Sequence, residues 1–140
     1  MLLDHTAHLP SDNKAIDELV GTSFSMLTKI QMGGTGSEKM EILACSRFFQ
    51  EALNKHQQTN YSSIEIRTRG IIVHFNNAKS YFVWCVPYYH LSVYKTSSLS
   101  IHGAGKIIKF KVNQTKNKSF IRNLLKQMAD YQRGHEMPLN

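Results

Sequence analysis

Proline is scarce in this chain, with three in 140 residues, at positions 10, 87 and 138. Most of the length is therefore free to enter helices or sheet ladders. Pro87, deep inside a strand-like run, marks a bend, an edge or a bulge because it has no N–H to donate. Cysteine is scarcer still: Cys45 and Cys85 stand forty residues apart and form no Cys-x-x-Cys pair. That argues against a disulfide or redox role, and it leaves two structural free thiols in segments that look buried. No apolar run reaches the about eighteen residues that a spanning helix needs. The start, Met1-Leu2-Leu3-Asp4-His5, lacks the basic and long apolar regions of a secretory signal. The expected location is the cytoplasm, with no transmembrane segment.

Acidic residues are nearly missing from the last third. Residues 1 to 94 hold eight Lys/Arg and eight Asp/Glu, whereas residues 95 to 140 hold nine Lys/Arg against Asp130 and Glu136, so the whole excess of +7 is C-terminal. Such a split favours an anionic partner: nucleic acid, anionic lipid headgroups or an acidic protein patch. A solvated basic face with no partner accounts for the same charges.

With 41% hydrophobic residues the chain is long enough to bury one core, and it is expected to form a single domain over residues 1 to 140. Residues 1 to 11 show no period and read as a loose tail. A helix is expected from Ser11 or Asp12, with Ile16, Leu19 and Val20 at helical spacing. From Thr22 to Met32 the even-numbered apolar residues favour a strand, although Leu27 also fits a helix. Gly33-Gly34-Thr35-Gly36-Ser37 lacks the spacing of a phosphate-binding loop and reads as an ordinary turn. Ser37 is expected to cap a helix over residues 37 to 57, with Met40, Leu43, Phe48, Phe49, Ala52 and Leu53 on its buried stripe.

Past Gln57 the period changes to two. Antiparallel strands are expected over residues 61 to 113: Ile64 to Arg67, Ile71 to Phe75, Tyr81 to Val86, Tyr88 to Lys95, Leu99 to Ile101 and Lys106 to Val112. Ile64 and Ile66 lie on even positions, and Ile71, Val73 and Phe75 on odd ones, which places a break at Gly70. Ile108, Phe110 and Val112 are expected inward, Lys109 and Lys111 outward. Asn113 to Asn117 read as a polar loop. Phe120, Ile121, Leu124, Leu125, Met128 and Tyr131 then define an amphipathic helix over residues 117 to 133, and His135 to Asn140 a frayed tail.

The expected fold class is α+β: an antiparallel meander sheet or partly open barrel of about five to seven strands, with an amphipathic C-terminal helix and an additional N-terminal helix packed on it. Four segments carry a resemblance: Arg69-Gly70-Ile71-Ile72-Val73-His74-Phe75, Val86-Pro87-Tyr88-Tyr89-His90-Leu91-Ser92-Val93, the Gly103-Ala104-Gly105 hairpin, and the helix from Phe120 to Tyr131. In that order, residues 61 to 133 resemble the pleckstrin-homology-like superfold, particularly its bacterial members. The long helix from Ser37 departs from a minimal domain of that kind, and the clustered basic motif near the first hairpin is represented only by Arg67 and Arg69. The resemblance implies a non-catalytic scaffold that binds lipid headgroups, peptides or copies of itself.

Chemistry-bearing motifs are few. His74, His90 and His102 fall on neighbouring expected strands and form a conceivable zinc set for a metal-dependent hydrolase, but no His-x-x-x-His spacing accompanies them. Cys85 lies in an apolar strand, where burial raises a thiol pKa, so it is a poor nucleophile. The sequence thus points away from an enzyme and calls for no cofactor. It supports a binding or assembly module, with single-stranded nucleic-acid binding as the alternative. The candidate ligand-binding residues are Lys95, Lys109 and Lys111, with Tyr88, His90 and Tyr94 on the same side to stack or hydrogen-bond. Self-association through edge strands, or a protein partner, fits the same class.

Overall fold

The computed structural model describes residues 1–112 and 116–134. Residues 113–115 of the expected loop and the expected frayed tail, 135–140, lie outside the described residues. The class is α+β, built on one antiparallel sheet with a C-terminal helix. The eight strands among the described residues exceed the expected five to seven. In chain order these are β1 (Leu2–Asp4), helices α1 (Pro10–Val20) and α2 (Met26–Met32), β2 (Met40–Cys45), β3 (Tyr61–Ile66), β4 (Gly70–Asn76), β5 (Tyr81–Pro87), β6 (Leu91–Lys95), β7 (Ser98–Gly103), β8 (Lys106–Lys111) and helix α3 (Lys118–Gly134). The strand order across the sheet is β1-β5-β4-β3-β2-β8-β7-β6.

From β3 onward the strands form where alternation or β-branched density said they would. Ile64 and Ile66 of β3 and Ile71, Val73 and Phe75 of β4 all enter the main core, and Ile66 pairs with Ile71. The parity switch at Gly70 is the hairpin, in which Arg67 N–H donates to Gly70 O at 2.8 Å. Trp84, in the middle of β5, packs edge-on against Phe49 with ring centroids 4.7 Å apart, and Phe49 stacks on Phe75 at 5.7 Å. Removing a buried ring of this kind costs about 3–5 kcal/mol.

Pro87 does what its chemistry dictates. It ends β5 opposite Gly70, and one 3₁₀ turn, Tyr88–His90, leads directly into β6. Strands β5 and β6 stand six places apart in the sheet, roughly 29 Å if it were flat, whereas the turn reaches only about 14 Å. The sheet must therefore curl until its two halves face each other. Gly103 of β7 shows the closeness: a Cβ there would stand 2.7 Å from Val86 Cγ1 and 3.1 Å from Trp84 Cζ2. Phe120, Ile121 and Leu124 of α3 complete this interior from one side.

Three expectations are corrected. The helix expected over residues 37 to 57 is instead β2 followed by a 3₁₀ turn, Arg47–Ala52. Its apolar density suits either period, and the sheet decides. β2 pairs first with β3 (Met40 with Ser62) and then with β8 (Ile42 with Phe110 and, past a bulge, Ala44 with Lys109), joining the two halves. The Ser37 hydroxyl caps nothing and accepts from Ile64 N–H at 2.8 Å. The strand expected after Thr22 is α2, capped by the Ser25 hydroxyl and stopped by Gly33 in the left-handed region at φ 77°. The loose tail contains β1, which covers the edge of β5 through the pairs Leu2 with Trp84 and Leu3 with Val83.

The helix that does pack on the sheet is α1, whose Ile16 and Val20 form a second core with Ile72, Val83 and Cys85. It covers only part of the outer face. The rest of that face carries the polar side chains of β3, β4, β2 and β8.

Candidate binding surface on the outer sheet face

Ser63 and Glu65 of β3, His74 of β4 and Tyr81 of β5 leave the sheet on the side opposite the main core, beside the edge of α1. His74 Nε2 lies 3.1 Å from Glu65 Oε1, and its Nδ1 meets the Tyr81 hydroxyl. With a neutral imidazole, Nε2–H donates to the carboxylate and Nδ1 accepts from the phenol. Arg67 bonds the other carboxylate oxygen of Glu65 and reaches Asp17 of α1 at 3.1 Å. Burial raises the Glu65 pKa, but the hydrogen bond from His74 and the Arg67 guanidinium outweigh it and hold the carboxyl below its usual range. Burial, reinforced by the Glu65 charge, pushes the Tyr81 phenol up to about 12. This chain of bonds fastens α1 to the sheet.

Beside it lies a cleft of about 670 Å³ lined by Lys39, Gln57, Asn60, Tyr61, Ser62, Ser63, His74, Phe75, Asn76 and Tyr81. Lys39 and Tyr61 are shared with a second cleft of about 370 Å³, which adds Met40, Glu41, Lys111, Lys116 and Asn117. Asn117 fixes the start of α3 here, because Glu38 N–H donates to its Oδ1 at 2.7 Å. The outer face continues along β8 through Lys111 and Lys109, both exposed. Lys109 pairs with Ser100, which pairs with Tyr94 on β6. Tyr94 is 57% exposed and its ring meets His102 edge-on at 4.9 Å.

Of the six candidate residues, Lys109, Lys111 and Tyr94 share this face. Lys95 does not: it pairs with Leu99, whose other partner is the buried Phe110, so it leaves from the opposite side at the strand end, where Nζ bonds Thr96 O. His90 is exposed on the 3₁₀ turn before β6, its ring 4.4 Å from that of Tyr89. Tyr88 is 5% exposed, packs at 5.4 Å from Tyr131 and donates its hydroxyl to Arg67 O at 3.0 Å. It belongs to the core. A single strand over Tyr88 to Lys95 would give Tyr88 and His90 the parity of Tyr94, but the 3₁₀ turn before Leu91 breaks that alternation.

Comparison with protein-family models, curated proteins and solved structures finds no match.

The three histidines of the conceivable zinc set do not converge. His74 on β4 and His102 on β7 are separated by β3, β2 and β8, and the His90 ring lies tilted against that of Tyr89. Among the described residues no group of three His, Cys, Asp or Glu is placed to hold a metal ion. Burial pushes the Cys85 thiol up to about 11, which keeps it protonated and unreactive at neutral pH. Lys39, Tyr61, Glu65 and Tyr81 were missed as site residues. For Tyr61 and Glu65 a signal existed, since they alternate with the inward Ser62, Ile64 and Ile66. Lys39 was hidden by its assignment to a helix start.

Proposed function

We propose that this chain is a non-catalytic binding or assembly module that recognises an anionic surface or protein partner in the cytoplasm through its basic C-terminal third. The observation that carries this reading is the outward, exposed pair Lys109 and Lys111 on β8, a strand fixed on both sides by β7 and β2. A rigid strand holds the two lysine Cα atoms about 7 Å apart on one face, so that only the side chains have to order on contact. The succession β3 to β8, closed by α3, supports the resemblance to the pleckstrin-homology-like superfold and the scaffold role it implies. No helix among the described residues is long and apolar enough to cross a membrane, so lipid contact in this reading is peripheral.

The experiment is cosedimentation with vesicles of neutral lipid alone and with added phosphatidylserine. Pelleting with the anionic vesicles at low salt, abolished by high salt and by the double variant Lys109→Ala, Lys111→Ala, is the expected result. Absence of pelleting at low salt removes the membrane form of the proposal.

Tyr94 and His102 favour a second reading, single-stranded nucleic-acid binding. The exposed Tyr94 ring sits in the same cross-strand row as Lys109, with the half-buried His102 ring edge-on against it, an arrangement that lets a base stack while its phosphate meets lysine. In that case each lysine removed lowers the slope of log affinity against log salt by roughly 0.7.

A further inference from the structure

The two clefts that meet at Lys39 and Tyr61 are chemically unlike, and their difference is directional. The smaller one gathers Lys39, Lys111 and Lys116. Lys116 is matched by Glu38 at 3.9 Å, both exposed, while Lys39 and Lys111 have no ion pair among the described residues. Among the described residues the larger cleft carries no acidic side chain, and it is walled by Tyr61, Ser63, Gln57, His74 and Tyr81. Tyr61 is 53% exposed and stands at the junction of the two, so its ring offers an unfilled face to whatever crosses from one to the other. Glu41, on the wall of the lysine cleft, opposes a long run of negative charge but can accept from a hydroxyl.

We propose that this groove binds a small phosphomonoester of the nucleoside-phosphate class, with the phosphate between Lys39 and Lys111, a sugar hydroxyl towards Glu41, and the planar base over Tyr61 and into the larger cleft. Each of the two clefts falls in the size range of ligand sites. A single phosphate fits the charge pattern better than a polyphosphate, which would bring further anionic groups against Glu41 and Glu38. The site goes beyond the recruitment face proposed above and shares only Lys111 with it. The same chemistry arrives from two sources, a free mononucleotide or the end of a nucleic-acid strand.

The test is calorimetric titration of the full chain with adenosine 5′-monophosphate, adenosine, inorganic phosphate and a short single-stranded oligonucleotide. The variants are Lys39→Ala, Tyr61→Ala and Lys109→Ala, all at exposed positions, with circular dichroism confirming that each is folded. Saturable one-to-one binding of the monophosphate is expected, weakened roughly tenfold or more by Lys39→Ala and about fivefold or more by Tyr61→Ala, and unchanged by Lys109→Ala. Adenosine should bind more weakly than its phosphate by a similar factor. The proposal is overturned if adenosine and its monophosphate bind alike, if neither binds at millimolar concentration, or if Lys39→Ala leaves affinity unchanged. Binding of the oligonucleotide alone, lost with Lys109→Ala, would also overturn it while sustaining the sheet-face reading. Loss of vesicle pelleting with an intact monophosphate titration would do the reverse.

Discussion

His74 and Glu65 face each other at 3.1 Å from neighbouring strands, and Arg67 closes on the same carboxylate from the other side. Since both partners favour ionised Glu65, its folded pKa lies below the unfolded value. Its contribution to stability is therefore complete above the ordinary carboxylate range and is lost as pH falls through the depressed folded value. Glu65→Gln should destabilise the protein at pH 7 by about 1–3 kcal/mol, since the pair is part-buried and Arg67 keeps Asp17. Urea denaturation at pH 7 and at pH 3 checks the sign. The gap between variant and parent must narrow on acidification, and a gap that stays constant would mean that the carboxylate charge is not the source.

Tyr81 gives an alkaline counterpart. Its raised phenol pKa, about 12, means that the stability it contributes is whole below the ordinary tyrosine value near 10 and declines as pH rises from there towards 12. In a spectrophotometric titration Tyr81→Phe should leave the absorbance step near pH 10 intact and remove amplitude only above pH 11. Loss of amplitude near pH 10 would show that the Tyr81 hydroxyl is solvated and not held by His74.

The curl of the sheet predicts a specific coupling between its halves. Gly103→Ala places a methyl against Val86 and Trp84 across the interior, which should cost about 1–3 kcal/mol by overpacking. Val86→Ala should cost a similar amount through the space it leaves. The double variant should recover part of the sum, because the new methyl occupies room that valine vacates. Strict additivity in the denaturation free energies would argue that β7 and β5 do not press on each other there.

How much was legible in the residues follows from where the periods were unambiguous. Ile64 to Phe75, with the parity switch at Gly70, could be placed to the correct face because each strand has one apolar side and the hairpin between them is short. The stripe of α3 was equally plain. Met40 to Cys45 was not, because the bulge between Ile42 and Ala44 shifts the register and breaks the alternation of its apolar residues. β1 is too short at three residues to show any period, and only its pairing with β5 orders it. At the site, Lys109 and Lys111 were legible because they alternate with Ile108 and Phe110. Tyr88 was misread because the turn after Pro87 resets the parity.

That reset yields a prediction separating architecture from recognition within one short segment. Tyr88 is buried, with its hydroxyl donating to Arg67 O, and burial drives its pKa well above the ordinary tyrosine value. Tyr94, six residues on, is exposed on the outer face, in the same cross-strand row as Lys109. Tyr88→Phe should lower stability by about 0.5–1.5 kcal/mol through the lost hydrogen bond and leave vesicle and oligonucleotide binding untouched. Tyr94→Ala should leave the melting transition nearly unchanged, as exposed positions do, and weaken oligonucleotide binding about fivefold or more if bases stack there. Paired thermal melts and fluorescence titrations of both variants decide the matter. Equal binding losses in the two would return Tyr88 to the surface, and no loss in Tyr94→Ala would confine recognition to lysine charge alone.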